Sequence, residues 1–300
     1  MGLTAIVLGA AAGGGFPQWN CNCDVCRLAW AGDARVRPRT QASLAVSNGG
    51  RRWTLLNASP DLRAQIQATA ALHPREPKRG SPVEAVVLTG AEIDQTAGLL
   101  SLRERSPFAL VATAATLAAV ADNPMFAVLA ADMVTRRAVL PGERFALGDG
   151  LQAELFMVPG KLPLYLEGES PDTDSESAAN VGVELSDGQA RLLYVPGAAA
   201  VSPAMRQRLS RADAILFDGT LFSDDEMIRS GTGSKTGRRM GHMPIDGADG
   251  SLAALDGVSA RRIFVHINNT NPILVDGSPE RARVAAAGWE VAYDGMEIVL

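Results

Sequence analysis

The chain has 300 residues, of which 47% are hydrophobic and 20% are charged, and its formal net charge is -5. This length and apolar content are sufficient to bury a substantial core, so the composition predicts a folded globular protein. Because the charge balance is mildly acidic and no extended basic stripe is present, nucleic acid is a poor candidate partner.

The first predicted element is a buried strand in TAIVLGA, residues 4–10. Its apolar run breaks into glycines after about ten residues, which is too short for a membrane span. We therefore expect no membrane partner and a cytoplasmic location. The glycines of GAAAGGG, residues 9–15, predict tight turns. A dinucleotide-binding loop would need a G-x-G-x-x-G motif followed by a helix.

The next segment, the loop PQWNCNCDVC at residues 17–26, contains all three cysteines of the chain, Cys21, Cys23 and Cys26. Thiols with this spacing can converge on one ion, whereas a disulfide between such close positions would be strained and would leave an odd thiol. In a reducing compartment the spacing predicts a structural zinc, which takes four ligands and accepts soft thiolates. The alternative is three unrelated thiols. A fourth ligand must come from elsewhere in the fold.

Short β-rich runs and helical stretches then alternate along the chain. The predicted strands cover 41–47, 52–59, 83–90, 108–113, 151–158, 180–185, 190–197, 214–220, 261–268 and 289–295. The predicted helices cover 61–73, 94–105, 115–123, 202–212 and 278–288. Runs of strands with fewer helices between them indicate large sheets covered by helices, in one domain over residues 1–300 with two similar halves.

Two further segments are predicted to be loops from their composition. Residues 167–180 are acidic and rich in serine, which predicts a solvated loop. Residues 229–241 are rich in Gly, Ser, Lys and Arg and lead to a histidine, which predicts a mobile lid. Its cations Lys235, Arg238 and Arg239 could bind a substrate with several carboxylates, and a solvated basic loop is the alternative.

A second set of polar residues lies at predicted strand ends and loop edges, where binding sites are usually built. Its members are Glu92, Asp94, Asp218, His242 and His266. Carboxylates and imidazoles brought together in this way can hold a catalytic divalent ion with open coordination positions.

These residues also have ordinary structural interpretations. Asp94 could be the N-cap of the predicted helix 94–105, and Asp218 could be a turn residue before a glycine. A lone histidine is more often a hydrogen-bonded core or surface residue than a ligand, and we interpret His73 in that way.

Seven motifs, taken in chain order, form a recognisable set: GAAAGGGFPQWNCNCDVC, LLNASPDLRAQI, VVLTGAEIDQTAGLLSLRE, YVPG, LFDGTLF, MGHMPI and HINNTNPIL. The set resembles the coenzyme PQQ synthesis protein B family over essentially the full chain. That family belongs to the metallo-β-lactamase superfamily. The resemblance therefore implies an α/β (α+β) fold, an αββα sandwich in a single domain.

The resemblance implies that Cys21, Cys23 and Cys26 hold a structural zinc, as in the related cyclic phosphodiesterase of phosphonate breakdown. In that relative a histidine completes the site, and this chain has Asn269 at the corresponding place. The fourth ligand is therefore open between the Asn269 oxygen, His266 and water.

The superfamily signature H-x-H-x-D-H falls on Gly90, Glu92, Asp94 and Gln95, so only the aspartate is kept. The resembled family usually has Asp at the first of these places and His at the last, so Gly90 and Gln95 depart from it too. The residues left for a metal are Glu92, Asp94, Asp218, His242 and His266. This set suits a single, weakly held Fe²⁺ or other divalent ion better than two zinc ions.

The resemblance also implies a role in PQQ biosynthesis, as an Fe(II)-dependent oxygenase that hydroxylates the tyrosine-derived ring of a cross-linked Glu-Tyr intermediate. Asp94, Asp218 and His266 are then ligands, and His242 is a ligand or a proton-transfer group. The alternatives are a carrier that transports PQQ or its precursor, and a residual metal-dependent hydrolase. The expected partners are the small-molecule precursor and other proteins of the pathway. The sequence leaves open whether the chain forms a homo-oligomer.

Overall fold

A computed structural model describes residues 2–76, 78–163, 165 and 176–300. Two seven-stranded sheets pack face to face. The first contains β1 (Leu3–Gly9), β2 (Ser43–Asn48), β3 (Trp53–Leu56), β4 (Val83–Val87), β5 (Phe108–Ala112), β6 (Val134–Ala138) and β14 (Glu297–Val299). The second contains β7 (Arg144–Ala146), β8 (Gln152–Pro159), β9 (Glu176–Ser186), β10 (Arg191–Val195), β11 (Ala214–Asp218), β12 (Arg261–Val265) and β13 (Trp289–Val291).

The helices of the described residues are short. They are α1 (Asp24–Trp30), α2 (Leu62–Ala68), α3 (Ile93–Thr96), α4 (Ala114–Ala121), α5 (Pro203–Leu209), α6 (Glu226–Arg229), α7 (Ser251–Ala254) and α8 (Pro279–Ala286). Within the described residues, no helix combines the length and the apolar character needed to cross a bilayer.

The two sheets have matching topologies. Their strand orders are β14-β1-β2-β3-β4-β5-β6 and β13-β12-β11-β10-β9-β8-β7. In the first sheet β3, β4, β5 and β6 are parallel neighbours, and in the second β10, β11, β12 and β13 are parallel neighbours. The other neighbouring pairs are antiparallel. This arrangement agrees with the prediction of one domain with two similar halves.

Both faces of the central strands of each sheet are buried, which agrees with the αββα layers that the resemblance implied. Along β1, Leu3 and Val7 lie in the core between the sheets, whereas Ile6 and Leu8 pack in the core that includes Leu62 of α2. This alternation follows from the two-residue period of a strand. Since each face meets a hydrophobic layer, the strand reads as one continuous apolar run.

Most predicted elements are found. Three strands were not predicted. β6 has only its first residue buried, and β7 and β14 have three residues each. Predicted helix 94–105 is instead one α-helical turn, α3, followed by 3-10 turns over Ala97–Leu102.

The cysteine segment is only partly a loop, which corrects the prediction. Cys23 is the N-cap of α1, its sulfur accepts the N–H of Cys26, and Cys26 lies inside the helix. Of the predicted acidic loop 167–180, residues 167–175 lie outside the described residues. Residues 176–180 begin β9, and Glu176 and Ser177 pair with β8, so the prediction of a solvated loop is wrong for this segment.

Candidate functional site

One cavity at an edge of the two sheets is lined by Asp94, His242 and His266, and the fully buried Asp218 contacts His242. Asp94 lies in the first turn of α3 after β4, Asp218 ends β11, and His266 follows β12. His242 follows the basic segment 229–241. The cavity has a volume of about 530 Å³, and Asp94, His242 and His266 are among the residues that line it. One donor atom from each of Asp218, His242 and His266 lies within 4.8 Å of the others.

His266 is held on both sides of its ring. Its Nδ1 lies 2.8 Å from the hydroxyl of Thr220, and its Nε2 lies 2.9 Å from Oδ2 of Asp94. The residue is buried, and its backbone adopts a left-handed conformation with φ of 58°. Such a φ is uncommon outside glycine and costs energy, so the surrounding contacts must maintain it.

The ionisation of His266 and Asp94 is coupled. Burial alone lowers the pKa of His266, but the hydrogen bond to Asp94 and the nearby carboxylates raise it above its ordinary value. Burial acts in the opposite direction on Asp94, and His266 nevertheless holds the pKa of Asp94 below its ordinary value. Both directions favour an imidazolium–carboxylate pair.

Asp218 contacts three residues at once. It is fully buried, and its Oδ1 accepts the backbone N–H of Thr220 at 3.0 Å, which is a turn interaction of the kind the sequence suggested. Its Oδ2 accepts the backbone N–H of Ala198 at 2.9 Å and lies 2.7 Å from Nδ1 of His242. Although burial raises the pKa of Asp218, the neighbouring histidines and Thr220 lower it below its ordinary value.

Thr220 was missed by the sequence analysis. Its hydroxyl lies 2.6 Å from Oδ1 of Asp218 and 3.1 Å from Nδ1 of His242, in addition to its contact with His266. The available signal was its position two residues after Asp218, where a hydroxyl can bond back to the carboxylate.

His242 presents one ring edge to the cavity. Its ring stacks on that of His266 with centroids 5.1 Å apart and an interplanar angle of 20°. A Cβ at Gly197 would lie 3.3 Å from Cε1 of His242, so a side chain there would crowd the ring. With Nδ1 donating to Asp218, Nε2 is the nitrogen left to act on a bound molecule.

Glu92 lies at the rim of the cavity. It is the N-cap residue of α3, so the suggested N-cap role of Asp94 is wrong. The Glu92 carboxylate is paired with Nζ of Lys161 at 3.1 Å. Glu92 is not among the grouped donors of Asp218, His242 and His266.

Gly90 and Gln95, the two residues that depart from the family's usual signature, lie next to each other. Oε1 of Gln95 accepts the backbone N–H of Glu92 at 3.2 Å. A Cβ at Gly90 would lie 2.6 Å from that same oxygen. The Gln95 side chain therefore occupies space that a side chain at position 90 would need.

The donor atoms of Asp218, His242 and His266 lie close enough together to hold one divalent ion, whereas Asp94 is outside that group and contacts Nε2 of His266. Donors on an ion with bonds of roughly 2.1 Å lie about 3 Å apart when the bonds meet at right angles. The contacts of 2.9 Å between His266 and Asp94 and 2.7 Å between His242 and Asp218 are close to that separation. Carboxylates with one or two imidazoles suit Fe(II) and similar ions.

The basic segment 229–241 contributes part of the wall of this cavity, but only one of its cations lines it. Lys235 is among the lining residues, together with Met240. Arg238 instead pairs with Asp249 at 2.5 Å, and Arg239 is not among the lining residues. Of the three cations predicted to bind substrate, Lys235 is the one that lines the cavity.

The three cysteines converge as their spacing predicted. Their sulfur atoms all lie within 4.8 Å of one another. Cys21 and Cys23 are half-buried, and Cys26 is buried. Burial raises the pKa of Cys23 to about 12 and also raises that of Cys26, so these thiols stay protonated unless a cation binds.

Asn269 lies at the remaining side of the thiol cluster. Its amide nitrogen is 3.1 Å from the sulfur of Cys21, 3.3 Å from that of Cys26 and 3.9 Å from that of Cys23. His266 is turned away from the thiols, since its two ring nitrogens contact Thr220 and Asp94.

Comparison with known proteins gives consistent results. Residues 52–267 match the family described as Beta-lactamase superfamily domain. The coenzyme PQQ synthesis protein B of Ruegeria pomeroyi is 57% identical over 295 residues, covering 98% of this chain and 99% of that protein. The protein of the same name from Methylobacterium nodulans is 56% identical over 299 residues, covering 99% of this chain and 100% of that protein.

Two solved structures extend the comparison. Zn²⁺-bound PqqB from Methylobacterium extorquens is 54% identical with a TM-score of 0.97, and the match covers 99% of this chain and 100% of that chain. A diphosphatase of the PhnP family is 20% identical with a TM-score of 0.70, covering 99% of this chain and 98% of that chain. The second likeness concerns the fold alone.

Proposed function

The chain belongs to the coenzyme PQQ synthesis protein B family of the beta-lactamase superfamily, and from that premise we propose that it acts in the synthesis of coenzyme PQQ. Its specific role is that of a metal-dependent oxygenase. It hydroxylates the tyrosine-derived ring of the cross-linked Glu-Tyr intermediate, with Fe(II) or a similar divalent ion as cofactor; one atom of O₂ enters the ring, and the other leaves as water with two electrons from an external reductant. The precursor is its small-molecule partner, and other proteins of the pathway supply and receive that molecule.

One observation carries the oxygenase proposal. Carboxylates and imidazoles from four separate segments come together at one cavity, where Asp94 lies beside His266 and the buried Asp218 lies behind His242. In this proposal Asp94, Asp218 and His266 hold the ion. An Fe(II) ion held by these residues would offer open coordination positions for oxygen and substrate.

The remaining residues of the cavity position the substrate and move protons. The Asp218 carboxylate fixes the His242 ring, so that Nε2 can take a proton from a bound phenol or return one to it. Lys235 in the cavity wall supplies a positive charge for a substrate carboxylate. The lid role of segment 229–241 belongs to the same proposal.

We also propose that Cys21, Cys23 and Cys26 hold a zinc ion with a structural role. The soft thiol set supports this proposal, as does the Zn²⁺-bound relative that is 54% identical. Three free thiols in one chain suit a reducing compartment, which supports a cytoplasmic location.

A carrier role is the second candidate, and a specific observation favours it. The signature is incomplete at Gly90 and Gln95, and the carboxylates and imidazoles already satisfy one another through hydrogen bonds. A cavity of this kind could bind PQQ or a precursor without changing it.

Aerobic turnover with added Fe(II) and an external two-electron reductant, followed by mass spectrometry of the precursor, tests the proposal. A gain of one oxygen atom that depends on both Fe(II) and oxygen is the expected result. Addition of water would instead indicate a hydrolase, and a tightly bound but unchanged precursor would indicate a carrier. If full Fe(II) loading gives no oxygen-dependent product, the oxygenase proposal fails.

A further inference from the structure

We infer that Asn269 is a displaceable fourth ligand of the thiol-bound zinc, and that the cavity beside the thiols admits a small neutral donor such as an imidazole in its place. The inference concerns only the site formed by Cys21, Cys23, Cys26 and Asn269, which we call the thiol site. It goes beyond the structural role proposed above and rests on zinc binding by the three thiols.

The Asn269 amide lies close to the position of a fourth zinc ligand. With zinc–sulfur bonds of roughly 2.3 Å and a zinc–oxygen bond of about 2.1 Å, an oxygen at the fourth corner of a tetrahedron lies roughly 3.6 Å from each sulfur. The observed distances from Nδ2 of Asn269 are 3.1, 3.3 and 3.9 Å. The end of this side chain therefore occupies the fourth corner.

The orientation of the amide depends on what the sulfur atoms bind. The amide nitrogen and oxygen are distinguished by the hydrogen-bond network around them. Sulfur atoms attract the N–H₂ group, whereas a zinc ion attracts the carbonyl oxygen. Rotation of the amide by half a turn exchanges the two atoms without moving the backbone.

The bond between the Asn269 amide and a zinc ion should be weak. An amide oxygen is a neutral, hard donor on an ion that prefers thiolate and imidazole. Ligating side chains are normally fixed by further hydrogen bonds. Within the described part of the chain, the hydrogen bonds of the Asn269 side chain go only to the cysteine sulfurs.

A cavity gives small molecules access to the thiol site. A cavity of about 420 Å³ opens on Cys21, Cys23 and Asn269. The rest of its lining is uncharged, and comprises Gln18, Asn20, Asn22, Met227, Ser230, Gly231 and Thr232. Zinc with three thiolates carries a net negative charge, and no cation in the lining offsets it. The cavity therefore favours a neutral donor over an anion.

Cobalt substitution tests the inference with a readout that is independent of turnover. The full chain is loaded with one equivalent of Co(II), and thiolate-to-cobalt charge-transfer absorption reports occupancy of the thiol site. Imidazole is then titrated while the visible ligand-field bands are recorded, with thiocyanate as the anionic probe. Asn269→His provides a closed site with the same thiols, and Asn269→Ala provides an open one.

We expect imidazole to shift the ligand-field bands of the wild type at millimolar concentrations, to shift those of Asn269→Ala at lower concentrations, and to leave Asn269→His unchanged. Thiocyanate should have little effect on any of them. We also expect zinc release to a chelator to be at least about 10-fold slower from Asn269→His than from the wild type.

Four outcomes would overturn the inference. The wild type could hold cobalt through its thiols yet fail to respond to imidazole, or Asn269→His could respond as the wild type does. Thiocyanate could bind as well as imidazole, or Asn269→Ala could lose the metal altogether, which would make Asn269 an indispensable ligand. Absence of charge-transfer absorption in the wild type would instead refute the zinc proposal on which the inference rests.

Discussion

The thiol site and the carboxylate–imidazole site, formed by Asp94, Asp218, His242 and His266, differ in how their polar groups are satisfied. In the carboxylate–imidazole site each carboxylate faces an imidazole, at 2.9 Å and 2.7 Å, so both carboxylates have hydrogen-bond partners within the site. In the thiol site burial raises the pKa of Cys23 and Cys26, and no cationic side chain lies among the site's members.

The difference indicates at which site a metal ion contributes to folding and at which site it contributes to chemistry. A thiol cluster without a cation contributes only weak hydrogen bonds, so ion binding there adds directly to the free energy of unfolding. The carboxylate–imidazole site is stable by itself, so an ion there affects chemistry more than folding. Both depend on the segment after β12, since His266 serves one site and Asn269 serves the other.

The largest effect is expected from Cys23→Ala. Removing this thiol leaves zinc with too few ligands, so we expect severe loss of soluble folded protein and of bound zinc. Metal analysis of protein purified without added metal should give about one zinc per wild-type chain. Asp24→Ala is the matched control, because Asp24 is an exposed neighbour in α1. A zinc-free but stable and active Cys23→Ala protein would contradict the account.

Substitution in the carboxylate–imidazole site should separate activity from folding. We expect Asp218→Ala and His266→Ala each to lower turnover on the order of 10³-fold or more while zinc content stays at the wild-type level. His73→Ala is the control, because this histidine is exposed and its ring contacts the backbone of Gln67. Loss of zinc from His266→Ala would show that the two sites are not independent.

An intermediate effect is expected from Thr220→Val, which removes the hydroxyl and keeps the shape. Because that hydroxyl contacts Asp218, His242 and His266, its loss should lower turnover about 10- to 100-fold. It should also lower the free energy of unfolding by about 1–3 kcal/mol. Thr220→Ser should restore most of the turnover. Equal turnover in the valine and serine variants would mean that the hydroxyl positions nothing.

The smallest effect on either site is expected from Glu226→Gln. Glu226 is buried, and Thr270, next to Asn269, donates to it at 2.5 Å. Burial raises the pKa of Glu226 from 4.5 to about 7, so the folded chain binds this proton more tightly than the unfolded chain does. The stabilisation is present below about pH 4.5 and is lost as pH rises to about 7, by roughly 3 kcal/mol at most.

Urea denaturation at several pH values measures this effect. The free energy of unfolding of Glu226→Gln, taken relative to the wild type, should rise between pH 4.5 and 7 and then level off. Zinc content and turnover should match the wild type. A pH-independent difference would mean that Glu226 ionises normally in the folded chain.

The sequence predicted the geometry of the thiol site more fully than that of the carboxylate–imidazole site. The three cysteines lie within six positions, so their convergence follows from short chain geometry alone. Asp94 and His266 are 172 residues apart, and only the topology of two sheets brings them together. The residue types at the strand ends predicted the members of that site, but not which carboxylate would face which imidazole.

Other features could not be read from the pattern. Thr220 looks like an ordinary turn residue until Asp218 and both histidines are placed around it. The ion pair between Arg238 and Asp249 also has no signal in the sequence, because the two residues are not on one regular element. The buried strands were predicted well because hydrophobic layers cover both faces of each sheet, whereas the mostly exposed β6 carries no such pattern.

An anomalous-scattering map at the zinc and iron absorption edges, from crystals loaded with Fe(II) without oxygen, tests the central claim most directly. The account predicts a zinc peak among Cys21, Cys23 and Cys26 and a separate iron peak that Asp94, Asp218 and His266 all contact. Iron bound only at the thiols, or no peak among the carboxylates and imidazoles, would contradict it.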